Sequence, residues 1–168
     1  MQNVRLSPLL RENLEKYREW RNDPAVSDWC RQTDFISQFG QEKWFEKVMQ
    51  DGSVKTYEIR DEYTCVGVCG FTSITPVHNT AEFSIYISRE LQRNGYGEAA
   101  LRKLISHGFN DLNFNRIWGE SFEGNPATGL YEKLGFTKEG TLREAYYKNG
   151  KYINSSIWSL LKYERQYL

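Results

Sequence analysis

Apolar and polar positions alternate along residues 81–87, and a second, slower period follows after a short polar loop. Apolar side chains fall at every second position of 81–87, which is the period of a β-strand with one buried face. Leu101, Leu104, Ile105 and Phe109 then recur at spacings of three and four, which is the period of a helix with one buried stripe. The stretch therefore predicts a strand, a loop and a helix.

The same periods, read together with Gly, Pro and Asn breakers, divide the rest of the chain into elements. Asn125 is placed to cap a helix that has Pro126 at its first position and ends at Gly135. The pair Asn149 and Gly150 predicts a tight hairpin turn. The other predicted helices are residues 12–20 and 41–49, and the predicted strands are residues 3–9, 54–60, 65–74, 80–87, 116–122, 141–148 and 151–161.

These elements predict one α/β (α+β) domain that spans residues 1–168. The short connections between residues 54 and 87 allow only antiparallel neighbours, whereas the strand at 116–122 must return parallel to the strand at 80–87. We therefore expect a mixed, mostly antiparallel sheet with one parallel strand pair and helices on both faces. Residues 25–40 are irregular, which is typical of a binding loop and equally of a variable connector.

The composition of the chain mainly excludes classes of protein and kinds of site. Lys plus Arg and Asp plus Glu number 22 each, so no overall field favours nucleic acid or a membrane. No apolar run has the length of a membrane span, and the first residues lack the apolar core of a signal peptide. Cys65 and Cys69 lie in a predicted strand without histidines near enough for a metal site. We expect reduced thiols, no metal and a cytoplasmic protein.

Residues 92–97, Gln-Arg-Asn-Gly-Tyr-Gly, join the predicted strand to the helix. Two glycines at the helix start let backbone amides face a ligand, and the unpaired N–H groups with the helix dipole favour an anion such as phosphate. A solvated glycine turn is equally consistent with these residues. Residues 95–100 also fit the G-x-G-x-x-A dinucleotide pattern, with Glu120 as the ribose-binding acid, but further parallel strand–helix units are not visible.

Two motifs taken together resemble those of the GNAT superfamily of acetyl-CoA-dependent N-acetyltransferases. Q-x-x-G-x-G stands at 92–97 after Ala-Glu-Phe at 81–83, and Asn-Pro-Ala at 125–127 precedes Leu-Tyr-Glu-Lys-Leu-Gly-Phe at 130–136. The resemblance covers nearly the whole chain and implies a three-layer α/β/α fold with acetyl-CoA as co-substrate. The residues it assigns to coenzyme A are Ile85, Tyr86, Ile87, Gln92, Arg93, Asn94, Gly95, Tyr96, Gly97, Glu98, Asn125, Ala127 and Tyr131.

The chemistry that the resemblance implies is aminolysis of a thioester, for which Glu82 and Tyr131 are the candidate catalytic residues. An amine attacks only when it is unprotonated, so a base must accept its proton, directly or through water. Glu82 is an acid within an otherwise apolar strand and is the candidate base or ammonium ligand, with a solvated or salt-bridged glutamate as the alternative. The resemblance places Tyr131 near the thioester sulfur, where a phenol can protonate a leaving thiolate of comparable basicity. A backbone N–H near Ile85 or Tyr86 would meet the oxyanion.

The acceptor amine is the least determined part of the prediction. Trp20, Arg21, Trp29 and Glu82 are the candidate substrate-binding residues, and the first two resemble the branch of the family that acetylates nucleotide-linked amino sugars. Arg31 would serve the same purpose. We favour that acceptor.

The first alternative is spermidine, because the hairpin around Asn149 resembles the spermidine acetyltransferase branch. A polyamine site would want clustered acids, which Asp28, Asp34, Glu42 and Glu46 could supply. An N-terminus of a ribosomal protein is a looser resemblance. A non-catalytic acyl-CoA-binding module is an alternative of another class. The expected partner is a small-molecule amine rather than nucleic acid or a membrane, and the chain is expected to be a monomer or a homodimer.

Overall fold

The computed structural model describes residues 2–165, which fold around one seven-stranded sheet. The strands lie in the order β1-β2-β3-β4-β5-β7-β6, and every neighbouring pair is antiparallel except β4 with β5. The predicted mixed sheet with one parallel pair is therefore confirmed. The strands are β1 (Arg5–Pro8), β2 (Lys55–Arg60), β3 (Cys65–Thr75), β4 (Thr80–Ile87), β5 (Arg116–Phe122), β6 (Thr137–Lys148) and β7 (Lys151–Leu161).

Five α-helices accompany the sheet among the described residues. Short 3-10 turns precede α1 and follow β4 and β7. Among the described residues, no helix has the length and apolar character needed to cross a membrane. The helices are α1 (Leu14–Asn22), α2 (Pro24–Ser27), α3 (Gln38–Gln50), α4 (Tyr96–Asn110) and α5 (Thr128–Lys133).

One face of the sheet is covered by α4 and α5. The predicted apolar stripe of α4 is buried, since Leu101, Leu104, Ile105 and Phe109 are each 0% exposed. Complete burial of such a side chain stabilises the fold by about 2 kcal/mol. The stripe is therefore what holds α4, and with it the preceding glycine loop, against the sheet.

The opposite face is covered by α1 and α3, which gives the expected three layers. Leu14 and Tyr17 of α1 and Phe45 of α3 form a second apolar cluster with Cys65 and Val68 of β3. Two buried cores therefore flank one sheet.

Several predicted boundaries need correction. A 3-10 turn replaces the predicted start of the first helix, and α1 runs on to Asn22. The segment 25–40 contains α2 and the start of α3, because the Ser37 hydroxyl accepts the Gly40 amide at 3.0 Å and caps α3 earlier than predicted. Strand β6 begins at Thr137 rather than at 141, and two register shifts let it continue past Gly140.

The predicted helix cap at Asn125 is also wrong. The Asn125 side-chain oxygen accepts the Ala127 amide at 2.9 Å and closes a tight turn instead, so α5 starts only at Thr128. The hairpin turn is confirmed, because Asn149 and Gly150 have φ values of 50° and 82°, as this turn requires.

Candidate active site

A cleft opens where the two parallel strands separate. Strands β4 and β5 pair only between Thr80–Glu82 and Arg116–Trp118, and beyond that point β5 continues with β7. Among the described residues, the later part of β4 has no strand partner on the β5 side, so its backbone N–H and C=O groups face the cleft. The cleft has a volume of about 670 Å³. It therefore offers an extended ligand a strand edge to pair with.

Most of the residues predicted to bind coenzyme A meet in this cleft. Asn94 and Tyr96 do not line it: the Asn94 carbonyl accepts from the Gln2 side chain at 3.1 Å, and the Tyr96 hydroxyl donates to Asp61 at 3.2 Å. The prediction for these two residues concerns their backbone amides and stays a prediction. The predicted residues that do line the cleft are Ile85, Tyr86, Ile87, Gln92, Arg93, Gly95, Gly97, Glu98, Asn125, Ala127 and Tyr131.

The start of α4 presents free backbone amides to the cleft. Gly95 stands at the N-cap with φ 86°, and Arg93 has φ 62°, so two residues of this loop adopt left-handed backbone. No side chain within residues 2–165 caps the helix, which leaves its first N–H groups available for an anion. The Gln92 side chain donates to the Ile87 carbonyl at 3.1 Å and ties the loop to the end of β4, and the contact of its backbone amide with coenzyme A stays a prediction.

A carboxylate in the first turn of α4 is neutralised by its neighbours. Lys133 donates to Glu98 at 2.6 Å and Arg102 donates at 3.1 Å. The hydrogen bond from Lys133 is the main cause that lowers the pKa of Glu98, and Arg102 adds to it against the opposing effect of burial. Because these cations offset its charge, Glu98 does not oppose a phosphate at the helix terminus.

Tyr131 lies in the wall of the cleft on the side of α4 and α5. Its ring meets Phe83 edge-on at 5.2 Å between centroids, with Phe136 and Trp158 each at 6.0 Å. No hydrogen bond between the described residues uses its hydroxyl group, and the residue is 5% exposed. Burial raises the pKa of Tyr131 to about 12, so the phenol keeps its proton throughout the neutral range.

Glu82 is buried on the opposite face of β4 from Phe83 and is 5% exposed. One carboxylate oxygen accepts from the Arg31 guanidinium. The other lies 3.2 Å from the Ser73 hydroxyl and 3.4 Å from the Thr72 hydroxyl. Ser73 adopts φ 50° where β3 and β4 shift register, and this bulge is what aims its hydroxyl at the carboxylate. Glu82 is thus a salt-bridged carboxylate that lines the cleft.

Glu120 is a second carboxylate in the cleft that sequence reasoning considered only as a ribose ligand. Glu82 pairs in register with Trp118, so Glu120, two residues further along β5, lies on the same face as Glu82. Its Oε2 atom accepts from the Tyr146 and Ser155 hydroxyls, each at 2.9 Å, and its Oε1 atom lies 3.7 Å from Arg31. Strand register, which the sequence does not display, is what brings the two acids together.

The predicted acceptor residues are only partly brought together. Trp29 and Arg21 line the cleft, but Trp20 does not, because it packs on the second core beside Tyr17 at 6.2 Å. Trp20 is therefore removed from the predicted acceptor site. Glu42 pairs instead with Arg11 at 2.5 Å. The acids Asp28, Asp34, Glu42 and Glu46, considered as a polyamine site, do not line the cleft.

The residues present fit coenzyme A at one end and an amine at the other. Free amides at the α4 terminus suit a pyrophosphate, and the unpaired edge of β4 suits the amide groups of a pantetheine arm. The Asn125 side-chain oxygen is occupied by Ala127, so its amide nitrogen is the group that can donate to that arm. Among the described residues, no group of three or more His, Cys, Asp or Glu is placed to hold a metal ion.

Comparisons with known proteins agree with this geometry. Spermidine N(1)-acetyltransferase of Escherichia coli strain K12 is 28% identical and aligns over 99% of this chain and 89% of its own. The uncharacterized N-acetyltransferase YoaA of Bacillus subtilis is 36% identical over 62% of this chain and 60% of its own. The crystal structure of spermidine N-acetyltransferase from Vibrio cholerae with CoA and spermine superposes with a TM-score of 0.92 and 25% identity, covering 96% of this chain and 97% of that one. A family model described as an acetyltransferase (GNAT) domain matches residues 3–137, and the chain therefore belongs to the GNAT acetyltransferase family.

Proposed function

We propose that this acetyl-CoA-dependent N-acetyltransferase transfers the acetyl group to a primary amine of an aliphatic polyamine. The observation that carries the proposal is the pair of cleft carboxylates, Glu82 and Glu120, which share Arg31 between them. Similarity to a spermidine N(1)-acetyltransferase over 99% of the chain supports it. The polyamine thus replaces the nucleotide-linked amino sugar as the favoured acceptor.

The two carboxylates give the acceptor end of the cleft its preference for cations. Their side chains are only 6% and 12% exposed, so each has lost much of the water that would solvate its charge. A desolvated carboxylate needs a cation or hydrogen-bond donors nearby, and an alkylammonium group supplies both. Trp29, which is 38% exposed in the cleft wall, offers an indole face to a second ammonium group or to the methylene spacer.

A nucleotide diphosphate finds fewer partners at this end. Arg31 is already engaged by the two carboxylates. Arg21 donates to the Gln32 side chain at 3.0 and 3.2 Å and lies over the Tyr86 ring at 5.6 Å. A diphosphate would have to draw both arginines away from these partners and approach two buried acids, which is electrostatically unfavourable.

Glu82 is the group that holds the acceptor nitrogen and takes its proton. Ser73 and Thr72 donate to one of its oxygens, which fixes the plane of the carboxylate. The other oxygen faces cations in the cleft, and it accepts the amine proton directly or through one water molecule. Acetyl-CoA supplies the acetyl group as a thioester. A backbone N–H near Ile85 or Tyr86, on the unpaired edge of β4, donates to the acyl oxygen.

Tyr131 acts on the sulfur side as a hydrogen-bond donor. Burial raises the pKa of Tyr131 to about 12, so the phenol is protonated when the thiolate leaves. Burial in the same cleft raises the pKa of the leaving thiol as well, and protonation of the thiolate by Tyr131 therefore stays a prediction. Tyr131 stabilises the leaving sulfur by donating a hydrogen bond to it as its charge develops.

The proposal is tested by competition among amines. Purified protein is mixed with acetyl-CoA and equimolar spermidine, 1,4-diaminobutane, a UDP-linked 4-amino sugar and a short peptide with a free N-terminus. Mass spectrometry then identifies which acceptor gains an acetyl group. We expect kcat/KM for spermidine to exceed that of the amino sugar and of the peptide by about tenfold or more, because its ammonium groups can contact the carboxylates and the aromatic wall.

Each other outcome points to a distinct alternative. Preferential acetylation of the amino sugar or of the peptide contradicts the polyamine proposal and leaves the N-acetyltransferase assignment intact. If coenzyme A binds but no acceptor class is acetylated above the protein-free blank, the polyamine proposal fails in favour of the non-catalytic acyl-CoA-binding alternative. Glu120→Gln provides a second check, since it should raise the KM for spermidine more than the KM for acetyl-CoA.

A further inference from the structure

Arg31 is the one residue that contacts both cleft carboxylates among the ion pairs of residues 2–165. One guanidinium nitrogen, Nη2, donates to Glu82, and the other, Nη1, lies 3.7 Å from Glu120. A planar guanidinium between two carboxylates satisfies both with one charge. The group therefore stands where the ammonium of an acceptor is expected to bind.

The segment that carries Arg31 is fixed by a different residue. Lys148, at the end of β6, donates its three ammonium hydrogens to three backbone carbonyls, those of Ser27 at 2.6 Å, Cys30 at 2.8 Å and Gln32 at 2.6 Å. These contacts involve the backbone on both sides of Arg31 and do not involve its side chain. The guanidinium can therefore leave the carboxylates by side-chain rotation while the segment stays in place.

The Arg31 side chain can rotate into solvent. Arg31 is 49% exposed, whereas the carboxylates it contacts are 6% and 12% exposed. Rotation towards solvent returns a guanidinium to water at little cost, because half of the side chain already lies there. The two acids lose their counter-charge at the same moment, and a second cation has to replace it.

We propose that Arg31 is a specificity-determining residue that occupies the ammonium position of the acceptor site, and that the acceptor binds by displacing it. The inference rests on the proposed cationic acceptor. Weakly basic or uncharged amines compete poorly with Arg31, because only a cation can replace the counter-charge that the two carboxylates lose. It also lowers the apparent affinity for every acceptor in proportion to the time that it occupies the site.

Arg31→Gln tests this directly, because glutamine keeps polar bulk and removes the charge. If the guanidinium fills the site about nine-tenths of the time, the variant should bind spermidine about tenfold more tightly and show a KM lower by the same factor. Arg31→Lys retains a cation and should stay within about threefold of the wild type. Arg5→Gln, on the far edge strand, removes the same charge outside the cleft and should change neither value.

The direction in which the affinity for spermidine changes in Arg31→Gln decides whether Arg31 competes with the acceptor or binds it. A KM and a dissociation constant for spermidine that are unchanged or raised in Arg31→Gln overturn the proposal, since a raised value means that Arg31 holds the acceptor instead of competing with it. Arg31→Met gives the same test if the glutamine variant folds poorly. Binding is measured by calorimetry on the protein–CoA complex, which needs no turnover. If the wild type neither binds nor acetylates spermidine, the polyamine proposal fails, while a gain of spermidine binding in the variant still supports displacement of Arg31.

Discussion

Removal of the Tyr131 hydroxyl is the sharpest test of the proposed chemistry, because the structure separates its catalytic effect from its structural one. Tyr131→Phe keeps the ring that packs on Phe83, Phe136 and Trp158. Among the described residues, no hydrogen bond involves the hydroxyl, so none is lost within the fold. The free energy of unfolding should therefore change by less than about 1 kcal/mol.

The effect on turnover should be much larger. A hydrogen bond to a charge that develops in a largely desolvated site stabilises the transition state by about 1.5–4 kcal/mol. At 1.36 kcal/mol per tenfold change in rate, kcat should fall by about ten- to a thousandfold. The thiol carries no such charge in the ground state, so the dissociation constant of coenzyme A should stay within about threefold.

The assay follows release of free thiol at saturating acetyl-CoA and acceptor, with coenzyme A binding measured by calorimetry and unfolding by thermal melt. Tyr63→Phe removes a hydroxyl from an 83% exposed tyrosine and serves as the matched control. A kcat for Tyr131→Phe equal to that of the wild type would refute the role of this hydroxyl. A loss of turnover matched by an equal loss of coenzyme A affinity would assign Tyr131 to binding instead.

Two further predictions concern the phosphate end of the cleft and the second core. Gly95→Val should raise the dissociation constant of coenzyme A by about tenfold or more, because a β-branched residue does not tolerate the φ of 86° that aims the loop amides. Gly52→Ala, in open space, is the control. Equal affinity for coenzyme A in both variants would place the phosphate site elsewhere. Glu58→Gln should destabilise the fold by about 1–3 kcal/mol at pH 7, since Glu58 is 0% exposed and accepts hydrogen bonds from Tyr17 and Arg60. Burial acts to raise the pKa of Glu58, but these hydrogen bonds outweigh it and lower the pKa, so the stabilisation is present above about pH 5 and is lost as the pH falls through the folded-state pKa. Denaturant melts of both proteins from pH 7 to pH 3 should therefore converge on acidification, and a constant difference would contradict the argument.

Much of the fold was predictable because its signals are local. Strands β4 and β5 were predicted with the bounds that the structure has, since their two-residue periods and the breakers around them involve only neighbouring residues. The stripe of α4 was predicted for the same reason. Errors concentrate where two local options compete, as at Asn125, whose side chain closes a turn on Ala127 rather than capping a helix.

The candidate site was predictable only where a motif specifies it. The glycine loop, Tyr131 and Glu82 belong to short sequence motifs, and they line one cleft in the structure. Glu120 was considered only as a ribose ligand and Arg31 only as an acceptor residue, and no pattern in the chain pairs either of them with Glu82. Arg31 is 51 residues from Glu82 in the chain, and only folding brings the two side chains into contact.

By itself, the sequence determined most of the elements and their order, and the loop that suits a phosphate, because each depends on spacing within about 10 to 20 neighbouring residues. It also indicated the family, because two such motifs follow one another in the chain. The tertiary structure decided what the acceptor end contains. The register of β5 against β4 sets Glu120 beside Glu82, and the hydrogen bonds of Lys148 to three carbonyls fix the backbone segment that carries Arg31. Register and long-range hydrogen bonds are set by the packing of the whole sheet, and for that reason no local pattern in the chain records them.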